Sequence, residues 1–221
     1  MQKQLINQDI YGTIYGIIPL GRNSGFIEVV RNSNSLDEIG NRSENFLIDY
    51  FKKEMTQEDQ KNFVHSFAFS AISQYVLQFK DRHNGNIMIK QNGIILDIDF
   101  GFLLEIAPGG VFSIEKAPFK YTSGFSKVIT DEDEFRKLFI IGMFYFRYFI
   151  GDVVVTLKEV CGIIPCLKNV DSLRKLQDRL YIDLNIQEFI KKCEQLIDES
   201  KENIASVLYD KFQARQNEIN Y

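Results

Sequence analysis

Residues 81 to 101 read D-R-H-N-G-N-I-M-I-K-Q-N-G-I-I-L-D-I-D-F-G, and the rest of the chain is organised around them. A polar cluster of Asp81, His83, Asn84 and Asn86 precedes the apolar run Ile87 to Ile89. A second cluster, Asp97 and Asp99 followed by Phe100 and Gly101, comes after the return run Ile94 to Leu96. Asn-Gly between two apolar runs is the strongest short-range hairpin signal, so Asn92-Gly93 marks a turn. A hairpin brings its ends together and sets Asn86 beside Asp99, although 13 positions separate them. A carboxylate and an amide oxygen in one place suit a hard cation such as Mg²⁺, which keeps waters and shares phosphate oxygens. An Asx-rich turn is the bland alternative for the same residues.

Composition sets the frame. With 221 residues, 45% of them hydrophobic, the chain can bury a sizeable core. A net charge of −4 without a basic stripe argues against nucleic-acid binding. Cys161, Cys166 and Cys193 form no C-x-x-C pair and leave one over, as expected of reduced thiols in a cytosolic protein. The first twenty residues hold no continuous apolar segment of the signal-peptide kind. The longest apolar stretch, Leu138 to Leu157, is interrupted by Arg147 and Asp152 and reads as buried helix rather than a membrane span.

Ile10 to Leu20 and Phe26 to Val30 read as two strands of a hairpin, and Arg31 to Ser35 as loop. A short helix is expected within 36–54. Thr56-Gln57-Glu58-Asp59 has the capping-box pattern and opens the clearest helix of the chain. Its apolar residues, Phe63 through Phe79, recur every three or four positions and predict one broad buried face, with His65 off it as a surface or capping residue. That helix delivers the chain to Asp81. The stretch 105–126 carries Pro108-Gly109-Gly110 and Ala117-Pro118, which excludes a long helix. Its lysines Lys116 and Lys120, with Lys127 just beyond, are either solvated or phosphate-recognising. Acidic residues 131–134 open a helix to about Phe149. Further helices are expected over 152–161, 170–179, 186–198 and 201–215, the last amphipathic through Ile204, Val207, Leu208 and Phe212.

Asp81 and Asn86 have the D-x-x-x-x-N spacing of kinase catalytic loops, and D-F-G follows at 99 to 101. Together with D-R-H-N-G-N-I-M at 81 to 88 and A-P-F-K at 117 to 120, these residues resemble the catalytic domain of phosphatidylinositol 3- and 4-kinases. The likeness is greatest to the type III alpha 4-kinases, through Q-x-K-D-R-H-N-G-N at 78 to 86, F-G-F-x-x-E-x-x-P-G-G at 100 to 110 and the ending Q-N-E-I-N-Y. The resemblance implies an α+β, protein-kinase-like fold: a mostly helical C-lobe, a small antiparallel sheet at the hinge and a catalytic-loop hairpin. Residues 1–30 would be a partial N-lobe and hinge and 31–221 the C-lobe, with an activation loop over 102–126.

The implied reaction moves the ATP γ-phosphate to the 4-hydroxyl of phosphatidylinositol. ATP and Mg²⁺, or Mn²⁺, would be the cofactors, and a membrane lipid the substrate. The enzyme would be cytoplasmic and peripheral at a membrane, the plasma membrane by resemblance, with scaffold or regulatory proteins as further partners. Glu28, Val29 and Val30 match the adenine-binding hinge, through the Glu28 carbonyl and the Val30 N–H. Met88 and Ile98 match the apolar residues under the adenine. Asn86 and Asp99 match the metal ligands, and Asp81 and His83 the pair that activates the lipid hydroxyl. Lys116 and Lys120 are candidates for the headgroup. The sequence departs from the family at Asp97, where the family pattern before D-F-G is H-I-D. It also shows no glycine-rich phosphate loop before residue 11, and Lys3 is the only lysine ahead of the hinge. The alternatives are therefore a catalytically incomplete fragment or pseudokinase, or a related protein kinase.

Overall fold

The computed structural model describes residues 10–21, 24–40, 45–104, 106, 117–163, 166–167 and 170–201. Lys116, residues 105 and 107–116 of the expected activation loop, and residues 202–215 of the expected last helix lie outside them. Two small sheets come first. Strands β1 (Ile17–Gly21) and β2 (Ser24–Ile27) form an antiparallel ribbon with Ile17 opposite Ile27. Both strands are exposed along their whole length, Ile18, Leu20 and Phe26 included. Strand β3 (Ser33–Ser35) lies in the stretch expected to be loop. Its polar side chains gave no strand signal. The strand exists because its backbone pairs with β4 (Ile87–Lys90), Ser33 opposite Lys90, and β5 (Ile95–Asp97) completes the order β3-β4-β5.

The expected helix over 36–54 is two helices, α1 (Leu36–Ile39) and α2 (Phe46–Glu54). The Thr56 capping box forms as read: the hydroxyl accepts from the Asp59 N–H, the Asp59 carboxylate accepts from the Thr56 N–H, and α3 (Gln57–Leu77) follows. Helix α4 (Ser123–Val128) is a short turn capped by Thr122. One continuous helix, α5 (Glu132–Lys158), replaces the two expected over 132–161. Gly151 and Asp152, at the expected boundary between the two, sit on its exposed side, where neither residue interrupts the backbone ladder. Among the described residues α5 is the one helix long and apolar enough to cross a membrane, yet Phe135, Leu138, Phe139, Met143 and Ile150 on its inner side are buried in the core. Helices α6 (Val170–Asp178) and α7 (Ile186–Lys201) close the bundle.

Helix α3 is the axis of the fold, and it is buried almost all round from Phe63 to Val76 rather than on one face. Its apolar side meets α5 in an aromatic cluster. Phe67 lies at the centre, with ring centroids 4.9 Å from Phe135, 5.0 Å from Phe125, 5.3 Å from Tyr121 and 5.9 Å from Phe63. Stacked and edge-on pairs at such separations add to the area each ring buries. Gly142 lets α5 close on α3, since a Cβ there would stand 2.3 Å from the Ile72 side chain. His65 is not at the surface. It is buried, with Nε2 3.1 Å from the Glu134 carboxylate of α5.

The other side of α3 is a polar stripe: Asn62, Ser66, Ser70 and Gln74, one per turn. The β4–β5 hairpin lies along it. Asn62 Nδ2 donates to the Asn92 carbonyl at the hairpin tip at 3.0 Å, and the Ile95 N–H donates to Ser66 Oγ at 3.0 Å. Ser70 and Gln74 meet Asp97 at its base. The turn is a three-residue loop, Gln91 to Gly93, closed by the Lys90 N–H donating to the Ile94 carbonyl at 2.8 Å, and the Gln91 N–H donates to the Asn32 carbonyl just before β3. Gly93 alone takes the left-handed conformation, φ 82°, and its α-carbon lies so close to the Asp59 carbonyl that a Cβ could not fit.

Two tests follow from the packing. Phe67→Ala should lower unfolding stability by about 3–5 kcal/mol, read from urea denaturation, because the cavity sits where five rings meet. Cys193 is buried, and that burial pushes its thiol up to about 12, against the pull of Arg147. Iodoacetamide at about pH 8 should leave it unmodified in the native protein and label it in urea.

Candidate active site

The two ends of the hairpin meet as the spacing required. Asn86 closes a single 3-10 turn, Asn84–Asn86, capped by His83. Its backbone carbonyl accepts from the Ile98 N–H at 3.1 Å, one residue before Asp99. The Asn86 amide donates to the Asp81 carbonyl at 2.9 Å, which leaves its Oδ1 as the oxygen available for coordination. Asp81 and Asp99 both adopt left-handed backbone, φ 61° and 55°. Non-glycine residues held in that region cost about 1–3 kcal/mol and concentrate at functional sites. The turn at Asp99 also breaks the pleat. Asp97 at the end of β5 is buried and Ile98 just beyond it is half-buried, while Asp99 is exposed, with one carboxylate oxygen accepting from the Gly101 N–H at 3.1 Å.

The donor set fits a hard divalent cation: an amide oxygen and a carboxylate, each fixed by a neighbouring hydrogen bond. Among the described residues no group of three or more His, Cys, Asp or Glu forms a self-sufficient metal cage. Such a pair therefore suits an ion that brings phosphate and water oxygens of its own.

Arg82 secures this geometry, and no side-chain pattern in the sequence announced it. It is buried at 2% exposure. Its guanidinium donates to the carbonyls of Lys80 at 2.9 Å, Ile98 at 2.7 Å and Asp99 at 2.5 Å, with a longer contact to Asn86 at 3.4 Å. One cation thus clamps the catalytic loop to the D-F-G strand. Its counter-charge is Asp97, 3.7 Å away. Asp97 faces α3 and not the metal pair. Its carboxylate accepts from Ser70 Oγ at 2.6 Å and Gln74 Nε2 at 2.9 Å. Burial raises its carboxyl above the ordinary range, while Arg82, Ser70 and Gln74 pull it back.

The remaining expected residues fall in three places. Met88 and Ile98, both half-buried, share the hairpin face opposite α3, since Met88 pairs with Leu96 and Ile98 is two positions further on. Glu28, Val29 and Val30 line a cavity of about 970 Å³ with Tyr15, Arg31 and Lys90, at the turn end of the hairpin rather than at Asn86 and Asp99. The Glu28 N–H and carboxylate hold Gly16 at 2.8 and 2.7 Å, and the Val30 carbonyl accepts from Ser33 Oγ at 2.7 Å. Lys120, a candidate for the headgroup, is buried. The A-P-F-K run packs inward through Ala117 and Phe119, and Lys120 goes with it, its buried ammonium donating to Asn84 Oδ1 at 3.0 Å. Lys127 donates to Asn45 Oδ1 at 2.7 Å, tying α4 to the start of α2.

A family model described as phosphatidylinositol 3- and 4-kinase matches residues 40–148, which take in the catalytic loop, the hairpin and D-F-G. The chain belongs to the phosphatidylinositol 3- and 4-kinase family. It is 34% identical over 241 residues to phosphatidylinositol 4-kinase stt4 of Schizosaccharomyces pombe, covering 100% of this chain and 13% of that protein. It is 35% identical over 219 residues to phosphatidylinositol 4-kinase beta of Danio rerio, covering 93% of this chain and 26% of that protein. The STT4 kinase of Saccharomyces cerevisiae is 34% identical over 230 residues, 98% of this chain and 12% of that protein. The chain thus spans about an eighth to a quarter of the length of these relatives. The fold of the chain is α+β and mostly helical, with the β4–β5 hairpin laid along α3, in keeping with that family.

The clamp makes a direct prediction. Arg82→Met leaves Asp97 buried without a counter-charge and should cost about 3–5 kcal/mol in urea unfolding. Arg82→Lys keeps the charge but loses the planar fork, and should fall between that variant and the wild type.

Proposed function

We propose that this chain carries the catalytic loop and metal-binding half of an ATP-dependent lipid kinase that phosphorylates the 4-hydroxyl of phosphatidylinositol. The observation that carries the reading is the Asn86–Asp99 pair, set at the mouth of a hairpin and locked by Arg82. Asn86 and Asp99 would hold Mg²⁺, or Mn²⁺, with ATP. A cation bound there supplies neutralisation of the transferred phosphoryl group. Met88 and Ile98 present an apolar face for the adenine ring. Among the described backbone hydrogen bonds outside the strands, neither the Glu28 carbonyl nor the Val30 N–H is used, which suits both to a nucleobase edge.

The catalytic pair divides by chemistry. His83 Nδ1 accepts from the Gly85 N–H at 3.1 Å, so the neutral ring carries its proton on Nε2. That ring offers a donor, suited to steadying a phosphoryl oxygen. Asp81 offers a carboxylate, and in this reading it takes the proton from the inositol hydroxyl. In this reading residues 1–30 belong to the hinge and N-lobe and 31–221 to the C-lobe. The substrate is a membrane lipid, so the enzyme works from the cytoplasm at a membrane surface, here assigned to the plasma membrane by likeness to the type III alpha 4-kinases. That the relatives are named phosphatidylinositol 4-kinases supports the substrate class.

Phosphate transfer from radiolabelled ATP to phosphatidylinositol vesicles, with the product position mapped, tests the reading. Label at the 4-hydroxyl supports it, and label at the 3-hydroxyl or on a peptide overturns it. Asp81→Asn should lower kcat by roughly 10²–10⁴-fold, the usual worth of a positioned base, and near-full turnover would remove Asp81 from that role. Asp99→Ala should abolish the thermal shift that Mg·ATP gives the wild type.

A further inference from the structure

We infer that Asp97 is a positioning residue of the metal site, acting through Arg82, and that Gln74 extends the same network to Lys120, within the expected activation loop. The inference rests on the lipid-kinase reading for its metal and on the hydrogen bonds for its route. The route is continuous. Asp97 faces Arg82 at 3.7 Å and is held from behind by Ser70 and Gln74 at 2.6 and 2.9 Å. Arg82 holds the Ile98 and Asp99 carbonyls at 2.7 and 2.5 Å. Gln74 is the branch point. Its Nε2 also donates to Ser70 Oγ at 3.0 Å, and its Oε1 accepts from the Lys120 N–H at 2.8 Å. Lys120 then closes the circuit, its ammonium donating to Asn84 Oδ1 at 3.0 Å, two residues before Asn86. Both metal-ligating positions are therefore tied to one buried carboxylate through different arms.

The chemistry explains why a carboxylate stands there. A guanidinium that gives its donors to main-chain carbonyls gains hydrogen bonds but no neutralising charge. Buried at 2% exposure, it needs an anion. Asp97 supplies that charge from the side opposite the substrate. Ser70 and Gln74 saturate the carboxylate, so it does not swing toward the cation site. Groups that orient metal ligands in this way are typically worth about 10–100-fold in metal affinity.

Asp97→Asn keeps the shape and removes the charge. Two readouts separate positioning from general destabilisation. In the metal-free protein, hydrogen exchange at the Ile98 amide, which donates to Asn86, should rise about tenfold or more while the amides of α5 keep their wild-type rates. Binding of Mn²⁺ with a non-hydrolysable ATP analogue, followed by electron paramagnetic resonance, should weaken by about tenfold while binding of the analogue alone is unchanged. Ile98 exchange at the wild-type rate, or a uniform rise across the protein, would overturn the inference. Ser70→Ala removes one of the donors and should give the same local change at smaller amplitude, which keeps the test alive if Asp97→Asn does not fold; no local change in it counts against the inference. Failure of the wild type to bind the Mn²⁺–nucleotide complex would sink the lipid-kinase reading, and the exchange experiment would still decide whether Asp97 positions Asn86 and Asp99.

Discussion

A buried guanidinium surrounded by main-chain carbonyls is the constraint on which this site depends. Arg82 reaches the backbone of Lys80, Asn86, Ile98 and Asp99 at once, and so adds a charged tie to two segments that the Ile98–Asn86 backbone bond already joins. Charge-assisted hydrogen bonds are the stronger class, but taking a cation out of water offsets much of what they contribute. The clamp is thus a device for placement more than for stability. It tolerates left-handed backbone at both Asp81 and Asp99, because the atoms on either side of each turn are pinned from below.

Helix α3 reconciles that polar device with a hydrophobic core. One side supplies the rings that pack against α5, and the other supplies Asn62, Ser66, Ser70 and Gln74 to the hairpin. Each buried polar group on this side meets a partner, so the stripe does not carry the penalty of unpaired burial. Mechanical continuity follows: the aromatic cluster fixes the helix, the helix fixes the hairpin base, and the hairpin base fixes Asn86 and Asp99. The β1–β2 ribbon stands apart from this arrangement, with its apolar side chains exposed and the Glu28–Val30 segment that follows it beside a cavity at the far end of the hairpin.

Much of this was legible in the chain. The hairpin, the capping box at Thr56 and the opposite orientations of Asp97 and Ile98 follow from local rules about turns, caps and pleats. Arg82 did not stand out, because its partners are carbonyls, which every residue has and no pattern marks. Asp97 looked anomalous for a related reason: its counter-charge lies 15 positions away, and only the fold brings them together. The serine and glutamine stripe was visible at four-residue spacing, yet it was hidden by the reading of α3 as a helix with one buried face. His65 and Lys120 show the same limit. Both are polar residues drawn inside by well-packed neighbours, and both found a partner from a distant element, Glu134 for one and Asn84 for the other. Strand β3 was invisible because pairing with β4, not side-chain pattern, makes it a strand.

The match between hairpin and helix also turns a spacing into a ruler. The hairpin touches α3 at the tip, the middle and the base, so neither arm can slide. Losing or gaining one residue in β5 would reverse the pleat and exchange the places of Asp97 and Ile98. An isoleucine would then face two polar donors and a guanidinium, and a carboxylate would enter the apolar face that carries Met88. The interval from Asn86 to Asp99 is therefore a measured length. It would be expected to resist insertion and deletion more strongly than several of its individual residues resist substitution.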